Sequence, residues 1–358
     1  MIKVIIVAPS FDSKKNVSGV SSVAQFIISH NDDVEYIHFQ QGKSDGEKGV
    51  SLKLWRIIIT FAKWIVLLIK ERKTIIHYNF SLDANGILRD SWFIFAARFL
   101  RHPIVAHIHG GLYLSYPNKP RIIQWLLHRI FTLKVPFIVL SRQEKELLTH
   151  QYNIKTIIVL ENIVDLNAAS LYKRDNYEQK PLRILYLGRI ETNKGMDETY
   201  AAMELLSRQN HHFKLIFAGQ EQGNQHYIDR FSQLLGNRFK YEGVVSGQEK
   251  VDLLKSSHIF LMPSYYEGLP ISLLESMSFG LVPIVTKVGS IGDYVKDGEN
   301  GVFVPVKSAK EIPDIISMLN SDREKLRLMS NNARETIMES SDANSYIKKL
   351  NILYKSLL

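Results

Sequence analysis

Short apolar runs alternate with longer stretches of helical periodicity along the whole chain. In the first half, Val4–Ala8, Val34–Phe39, Thr74–Tyr78, Ile104–Ile108 and Phe137–Leu140 predict strands. Residues 20–30, 52–71, 90–100, 121–133 and 142–150 predict the helices between them. The second half repeats the order. Strands are predicted at Arg183–Leu187, Lys214–Ala218, Phe239–Glu242, Ile259–Met262, Val282–Thr286 and Gly301–Val304, and helices at 195–208, 224–235, 247–255, 270–279 and 308–319. A last helix falls at about 342–356. Strand and helix in strict alternation predict parallel sheets covered by helices, so the chain is expected to be α/β with two doubly wound domains. Their expected bounds are 1–165 and 182–341. Residues 166–181, LNAASLYKRDNYEQKP, are polar and aperiodic and are expected to be the linker.

The most informative stretch is Met262–Val285, MPSYYEGLPISLLESMSFGLVPIV. Pro270 suits the first position of a helix, where its missing N–H costs nothing. Ile271, Leu274 and Met277 fall at helical spacing, Gly280 suits a left-handed stop, and Val282–Val285 restarts as a buried strand. The Gly268-Leu269-Pro270 turn leaves backbone N–H groups free at the positive end of that helix, which is a site for an anion such as phosphate. Glu267 and Glu275 flank it and can take hydroxyls, so a sugar phosphate fits. The competing reading is an ordinary turn before an amphipathic helix, with both glutamates solvated.

Three further segments carry candidate chemistry. Asn16–Ser22 joins the first strand to the first helix with small residues, either a backbone approach to a ligand or a serine-rich cap. His109-Gly110-Gly111 follows the strand Ile104–Ile108, at the strand end where open α/β sheets bind ligands; a structural histidine is the alternative. Gly188–Gly195 follows the strand Arg183–Leu187. Its Arg189 and Lys194, on one loop entering a helix, can both reach one diphosphate; otherwise they are two solvated surface cations.

Charge changes the picture. Residues 1–180 hold 24 Lys/Arg against 15 Asp/Glu, whereas the rest of the chain holds 21 of each. The net +9 therefore belongs to the first half and predicts an anionic partner there, nucleic acid or membrane; no nucleic-acid recognition motif accompanies it. The chain has no cysteine, hence no disulfides and no thiolate metal site, which fits a cytoplasmic location. Met1–Phe11 reads as a first strand rather than a signal peptide. Residues 52–69 are the most apolar stretch, but Lys63 in its centre favours a core helix over a membrane span. In Arg121–Lys134, Ile122, Ile123, Leu126, Leu127, Ile130 and Phe131 share one face, with Arg121, Trp125, His128, Arg129 and Lys134 around it. Such a segment either lies on an anionic bilayer or packs on its own sheet.

Taken together, these features resemble the retaining glycosyltransferases of the GT-B fold, family four, which includes many enzymes of capsule, O-antigen and exopolysaccharide synthesis. The resemblance covers nearly the whole chain. Glu267 to Glu275 matches the Glu-x7-Glu signature, and Arg189 with Lys194 matches the Arg-x4-Lys pair. Gly19 matches the N-terminal glycine loop and His109 the donor-side histidine. Ser18 stands where a second glycine is usual, Glu221 stands for the second glycine after Phe217-Ala218-Gly219, and Asn162-Ile163-Val164-Asp165 lacks the glycine of the hinge motif.

The resemblance implies two Rossmann-like domains with a deep cleft between them, the C-terminal helix 342–358 joining the first. It implies transfer of a sugar from a UDP- or GDP-sugar to a saccharide or lipid-linked acceptor, forming an α-linkage. Gly19, Val20, Gly188, Arg189, Lys194, Gly268, Leu269, Pro270, Ile271 and Glu275 would bind the donor. His109, Glu267, Arg189 and Lys194 would carry the chemistry, with Glu275 on the ribose. The cations and helix amides would stabilise the leaving diphosphate, so neither a metal nor another cofactor is expected. An acceptor held at an anionic membrane would fit the basic half, with Arg121–Lys134 as the expected main contact and peripheral attachment at the inner membrane face. A sugar-nucleotide 2-epimerase of the same fold and a non-catalytic membrane-surface scaffold are the alternatives.

Overall fold

The computed structural model describes residues 1–12, 18–42, 50–110, 119–208 and 212–358, excepting the side chains of 50–54. Asn16, Val17 and Gly111 lie outside the described residues.

The chain divides into Met1–Ile163 with Asp342–Leu358, and Val164–Ser341. The first unit runs β1 (Ile2–Ala8), α1 (Gly19–Ser29), β2 (Val34–Gln40), α2 (Val50–Lys70), β3 (Ile75–Phe80), α3 (Ala84–Phe99), β4 (Ile104–Ile108), α4 (Arg121–Phe131), β5 (Phe137–Val139), α5 (Arg142–Tyr152) and β6 (Ile157–Val159). The second runs α6 (Asn167–Ser170), β7 (Leu182–Leu187), α7 (Met196–Arg208), β8 (Phe213–Ala218), α8 (Tyr227–Leu235), β9 (Phe239–Tyr241), α9 (Gly247–Ser256), β10 (Ile259–Met262), α10 (Ile271–Ser278), β11 (Val282–Thr286), α11 (Ile291–Tyr294), β12 (Val302–Val304), α12 (Ile312–Ser321) and α13 (Arg323–Ser340). Then α14 (Ala343–Lys355) returns to the first unit.

Both sheets are parallel and doubly wound, as the alternating pattern predicts. The first has the order β2-β1-β3-β4-β5-β6 and reverses direction between β1 and β3. The second has the order β12-β11-β10-β7-β8-β9 and reverses between β7 and β10. Ligands in such sheets bind beyond the strand carboxyl ends at the reversal. The central strands are mostly apolar because helices cover both faces; β1, for example, buries Val4 to Ala8.

The pattern missed α6 and α11, each a single four-residue turn too short to show a period, and three further elements were missed or trimmed. β6 is a three-residue edge strand, too short to alternate visibly. α13 is largely polar, and only Leu326, Met329, Ala333 and Ile337 mark its inner face. α3 starts six residues before its predicted start, because Asp83 caps it by accepting from the Gly86 amide at 2.9 Å, although Asn85-Gly86 looks like a turn.

The stretch 166–181 is packed structure of the second unit. It contains α6, and the buried Arg174 donates to the carbonyls of Phe279, Ser257 and Leu254 at 2.9, 2.7 and 3.0 Å. α14 docks on the first unit through a reciprocal amide pair, Asn31 with Asn351 at 2.8 and 3.0 Å, and through Tyr346, Leu350 and Tyr354. α2 covers the sheet with Trp64 and Leu68 rather than being buried all round. α4 turns Ile123, Leu126, Leu127, Ile130 and Phe131 onto its own sheet; of the six apolar residues, Ile122 alone stays outside, half-exposed like Trp125. Among the described residues no helix is long and apolar enough to cross a membrane.

Candidate functional site

In the second unit, the loops after β7 and β10 flank the sheet reversal, and backbone contact locks them together. Gly195 sits at φ +75°, and a Cβ there would lie 2.1 Å from the Pro263 carbonyl oxygen. Only glycine permits that approach. The Tyr265 amide donates to the Asn193 carbonyl at 2.9 Å across the same crossing. Behind it, a Cβ on Gly219 would fall 1.8 Å from the Gly188 carbonyl, so the β7 and β8 loops are also in contact.

This crossing brings together residues far apart in sequence. Lys194 lies in a 3-10 turn, Thr192–Lys194, and its Nζ sits 2.7 Å from Glu267 Oε1, both side chains mostly buried. The sequence-predicted cation and carboxylate are thus direct partners. Arg189 differs: it is exposed, and its guanidinium has no partner among the described residues, while its carbonyl accepts from the Tyr186 hydroxyl. Gly188 precedes it, its amide donating to Ala218 O at 2.9 Å.

Gly268, Leu269 and Pro270 lead into α10. Helix capping by a side chain is absent at Pro270, which is the N-cap residue rather than the first helical one. Leu269 and Ile271 are buried and hold the turn against the core; the Gly268 carbonyl accepts from the Ser290 amide at 2.9 Å. Glu275, one turn into α10, pairs with Lys250 of α9 at 2.5 Å. Sequence reasoning missed Lys250, since a lysine on an amphipathic helix carries no signal of its distant partner. Two ion pairs and the first amides of α10 therefore lie along one α-helix entry. Such a group can balance a diphosphate with cations and amides and offer carboxylate oxygens to hydroxyls. Glu221 accepts from the Ile228 amide at 3.2 Å and so serves the start of α8.

The first unit builds its own constellation at the β1/β3 reversal. Asn79 of β3 donates Nδ2–H to the Val7 carbonyl at 2.8 Å, which turns its Oδ1 toward His109. His109 Nε2 lies 2.7 Å from that oxygen. A carbonyl only accepts, so the network assigns the proton to Nε2 and leaves Nδ1 as a hydrogen-bond acceptor. The His109 ring packs on His107 at 4.0 Å between centroids, and His77 Nε2 meets His107 Nδ1 at 3.1 Å. His77 Nδ1 meets the Tyr354 hydroxyl of α14 at 2.6 Å. Burial holds His77 and His109 down to about 3 and pushes His107 well below the usual range, so all three imidazoles are neutral near neutral pH. Asn79, His77 and His107 escaped the sequence reading. Their signal is the period-two spacing of 77 with 79 and 107 with 109, which puts each pair on one sheet face. Gly19 opens α1, where Ser18 accepts from the Val20 amide at 3.2 Å; the serine at the missing glycine is the helix cap.

Comparison with known proteins agrees with this architecture. Residues 170–336 match the family model of the glycosyl transferases group 1. An uncharacterized glycosyltransferase of Methanocaldococcus jannaschii is 30% identical over 175 residues, 48% of this chain and 44% of that protein, so less than half of that relative is matched. The UDP-Gal:alpha-D-GlcNAc-diphosphoundecaprenol alpha-1,3-galactosyltransferase of Escherichia coli is 27% identical over 312 residues, 80% of this chain and 76% of that one. Among solved structures, sucrose-phosphate synthase from Thermosynechococcus elongatus superposes with a TM-score of 0.80 over 100% of this chain and 99% of that one, at 17% identity, a likeness of fold. Residues 170–336 thus resemble the group 1 glycosyl transferases, in a chain whose two Rossmann-like units have the GT-B fold.

Proposed function

We propose that the protein is a retaining family-four glycosyltransferase that moves a sugar from a nucleoside-diphosphate sugar to a lipid-linked or saccharide acceptor, with an α-linkage formed, in surface-polysaccharide synthesis. The observation that carries the reading is the Lys194–Glu267 pair at the β7/β10 crossing, with Arg189 on the same β7 loop and without a side-chain partner among the described residues, and α10 following without a side-chain cap. The Escherichia coli relative, named for a UDP-galactose donor and a diphosphoundecaprenol-linked acceptor, supports both substrate classes.

In this reading the leaving diphosphate lies on Arg189, Lys194 and the amides after Pro270. Negative charge on it grows as the glycosidic bond breaks, and preorganised donors act most strongly on charge that develops. Lys194 is held by Glu267 before any ligand arrives, so its ammonium needs no reorientation. Gly188 and Gly268 let backbone approach the phosphates, with Leu269 and Ile271 fixing the turn. Glu275, oriented by Lys250, takes the ribose hydroxyls. Glu267 has a second oxygen for a donor-sugar hydroxyl and stabilises positive charge on the ring. His109 Nδ1 accepts a hydrogen bond from a sugar hydroxyl, and Gly19 and Val20 contribute backbone to donor binding. The leaving phosphate takes the acceptor proton in a front-face attack. No divalent ion is required, because these cations and amides supply its charge. The nucleotide of the donor is UDP or GDP. The protein works at the inner membrane face as a peripheral cytoplasmic enzyme.

The test is incubation with UDP- and GDP-sugars, with and without acceptor lipid. Acceptor-dependent nucleotide release is the expected result. Acceptor-free conversion of the sugar would make it a 2-epimerase, and no turnover would make it a scaffold.

A further inference from the structure

The outer surface of one helical layer is apolar where a solvated surface would be polar. In α2, Trp55, Ile58, Ile59, Val66 and Ile69 recur at three- and four-residue spacing and point outward, Trp55 and Val66 being 66% exposed. The inner face of the same helix is already occupied by Trp64 and Leu68. In α3, Leu88, Trp92 and Phe99 repeat the pattern, Phe99 being 85% exposed. In α4, Ile122 and Trp125 do so. Crossovers to β3, β4 and β5 all advance in one direction, so α2, α3 and α4 lie on one face of the sheet, and α3 packs against both neighbours. Their outward stripes therefore form one patch. Three of the chain's four tryptophans stand on it.

Charge selects the occupant. α2 and α4 contain no acidic residue, and the single acid of α3, Asp90, is buried against Arg89. Lys63, Lys70, Arg98, Arg121 and Arg129 are exposed among or beside the apolar residues. A second copy of this face would set cation against cation with no carboxylate to answer. An anionic bilayer answers both features: headgroups take the cations, and the interfacial region takes tryptophan and aliphatic side chains. We propose that the outer face of α2, α3 and α4 is a bilayer-contact surface for anionic lipid, with α2 and α3 as its principal elements. α4 alone offers only Ile122 and Trp125, which is too little apolar surface for the contact expected of Arg121–Lys134.

The inference deepens the proposed reading, in which the acceptor is carried in a membrane, and its test separates the two. The full chain is floated with phosphatidylcholine vesicles with and without phosphatidylglycerol, and tryptophan emission is followed with brominated acyl chains. The expected result is retention on the anionic vesicles only, weakened by salt, with quenching of emission. Ile58→Glu with Val66→Glu, and separately Trp92→Glu with Phe99→Glu, should each weaken retention at least tenfold. These positions are exposed, so melting without vesicles should be unchanged and confirms folding. No retention at low salt, or equal retention of both variants, overturns the proposal. So does a concentration-dependent dimer that both variants abolish without any vesicle binding. Transfer from nucleotide sugars to a water-soluble saccharide should be unaffected in the variants. Vesicle binding without any transfer would sink the transferase reading alone, and transfer without vesicle binding would sink this surface alone.

Discussion

Gly195→Ala tests the crossing on which the proposed chemistry depends. Two costs attach to the substitution. Alanine at φ +75° is left-handed, which costs about 1–2 kcal/mol. In addition, its Cβ would sit 2.1 Å from the Pro263 oxygen, where contacts under 3.0 Å do not persist, so the two loops must part by about 1 Å. Lys194 and Glu267 ride on those loops, and a shift of that size opens their 2.7 Å contact. A misplacement of about 1 Å at reacting groups can cost about 100-fold, or about 2.7 kcal/mol of transition-state stabilisation. Gly298→Ala is the control. Gly298 has nearly the same positive φ, +74°, but a Cβ there meets nothing within 4 Å. It should lower Tm by roughly 2–8 °C and leave turnover intact. The assay is acceptor-dependent nucleotide release, paired with thermal unfolding. If Gly195→Ala keeps kcat/KM within threefold and shifts Tm no more than Gly298→Ala, the close crossing is not what positions the site.

Arg189→Ala should lower turnover at least tenfold, about 1.4 kcal/mol, with Tm unchanged because the side chain is exposed; wild-type turnover would remove Arg189 from the diphosphate. Activity should survive excess EDTA, and a complete loss restored by magnesium or manganese would refute the leaving-group account. Acid should destabilise the first unit through its histidines. His77 and His109 stay neutral in the native state down to about 3, whereas unfolded histidine protonates near 6.5. The unfolded chain binds those protons first, so this stability is complete above about pH 6.5 and is lost as pH falls toward 3. At about pH 5 the two together cost about 4 kcal/mol, and urea midpoints that match at about pH 7.5 and pH 5 would show that neither imidazole is held neutral.

Local chemistry made much of this protein legible without coordinates. Period-two and period-3.6 patterns are local, so the alternation of strands and helices, the parallel class and the doubly wound order could be read directly. So could the Gly-Leu-Pro entry of α10, because a turn and a helix start depend on a few neighbouring residues. What escaped was short or weakly patterned, namely β6, α6, α11, α13 and the first turns of α3. Tertiary structure alone decided the partnerships. Lys194 and Glu267 are 73 residues apart, and only the β7–β10 adjacency with a glycine at the crossing joins them. Lys250 meets Glu275, and Asn79 fixes the His109 tautomer, through packing that no spacing announces. The amphipathic patterns of α2 and α4 each allowed a sheet or a membrane. The fold resolved them by burying one stripe of each helix against the sheet, which used up most of the apolar face of α4 but left α2 with a second stripe outside. A hydrophobic pattern records how much apolar surface a helix has; how many of its faces find partners depends on which elements the chain lays beside it.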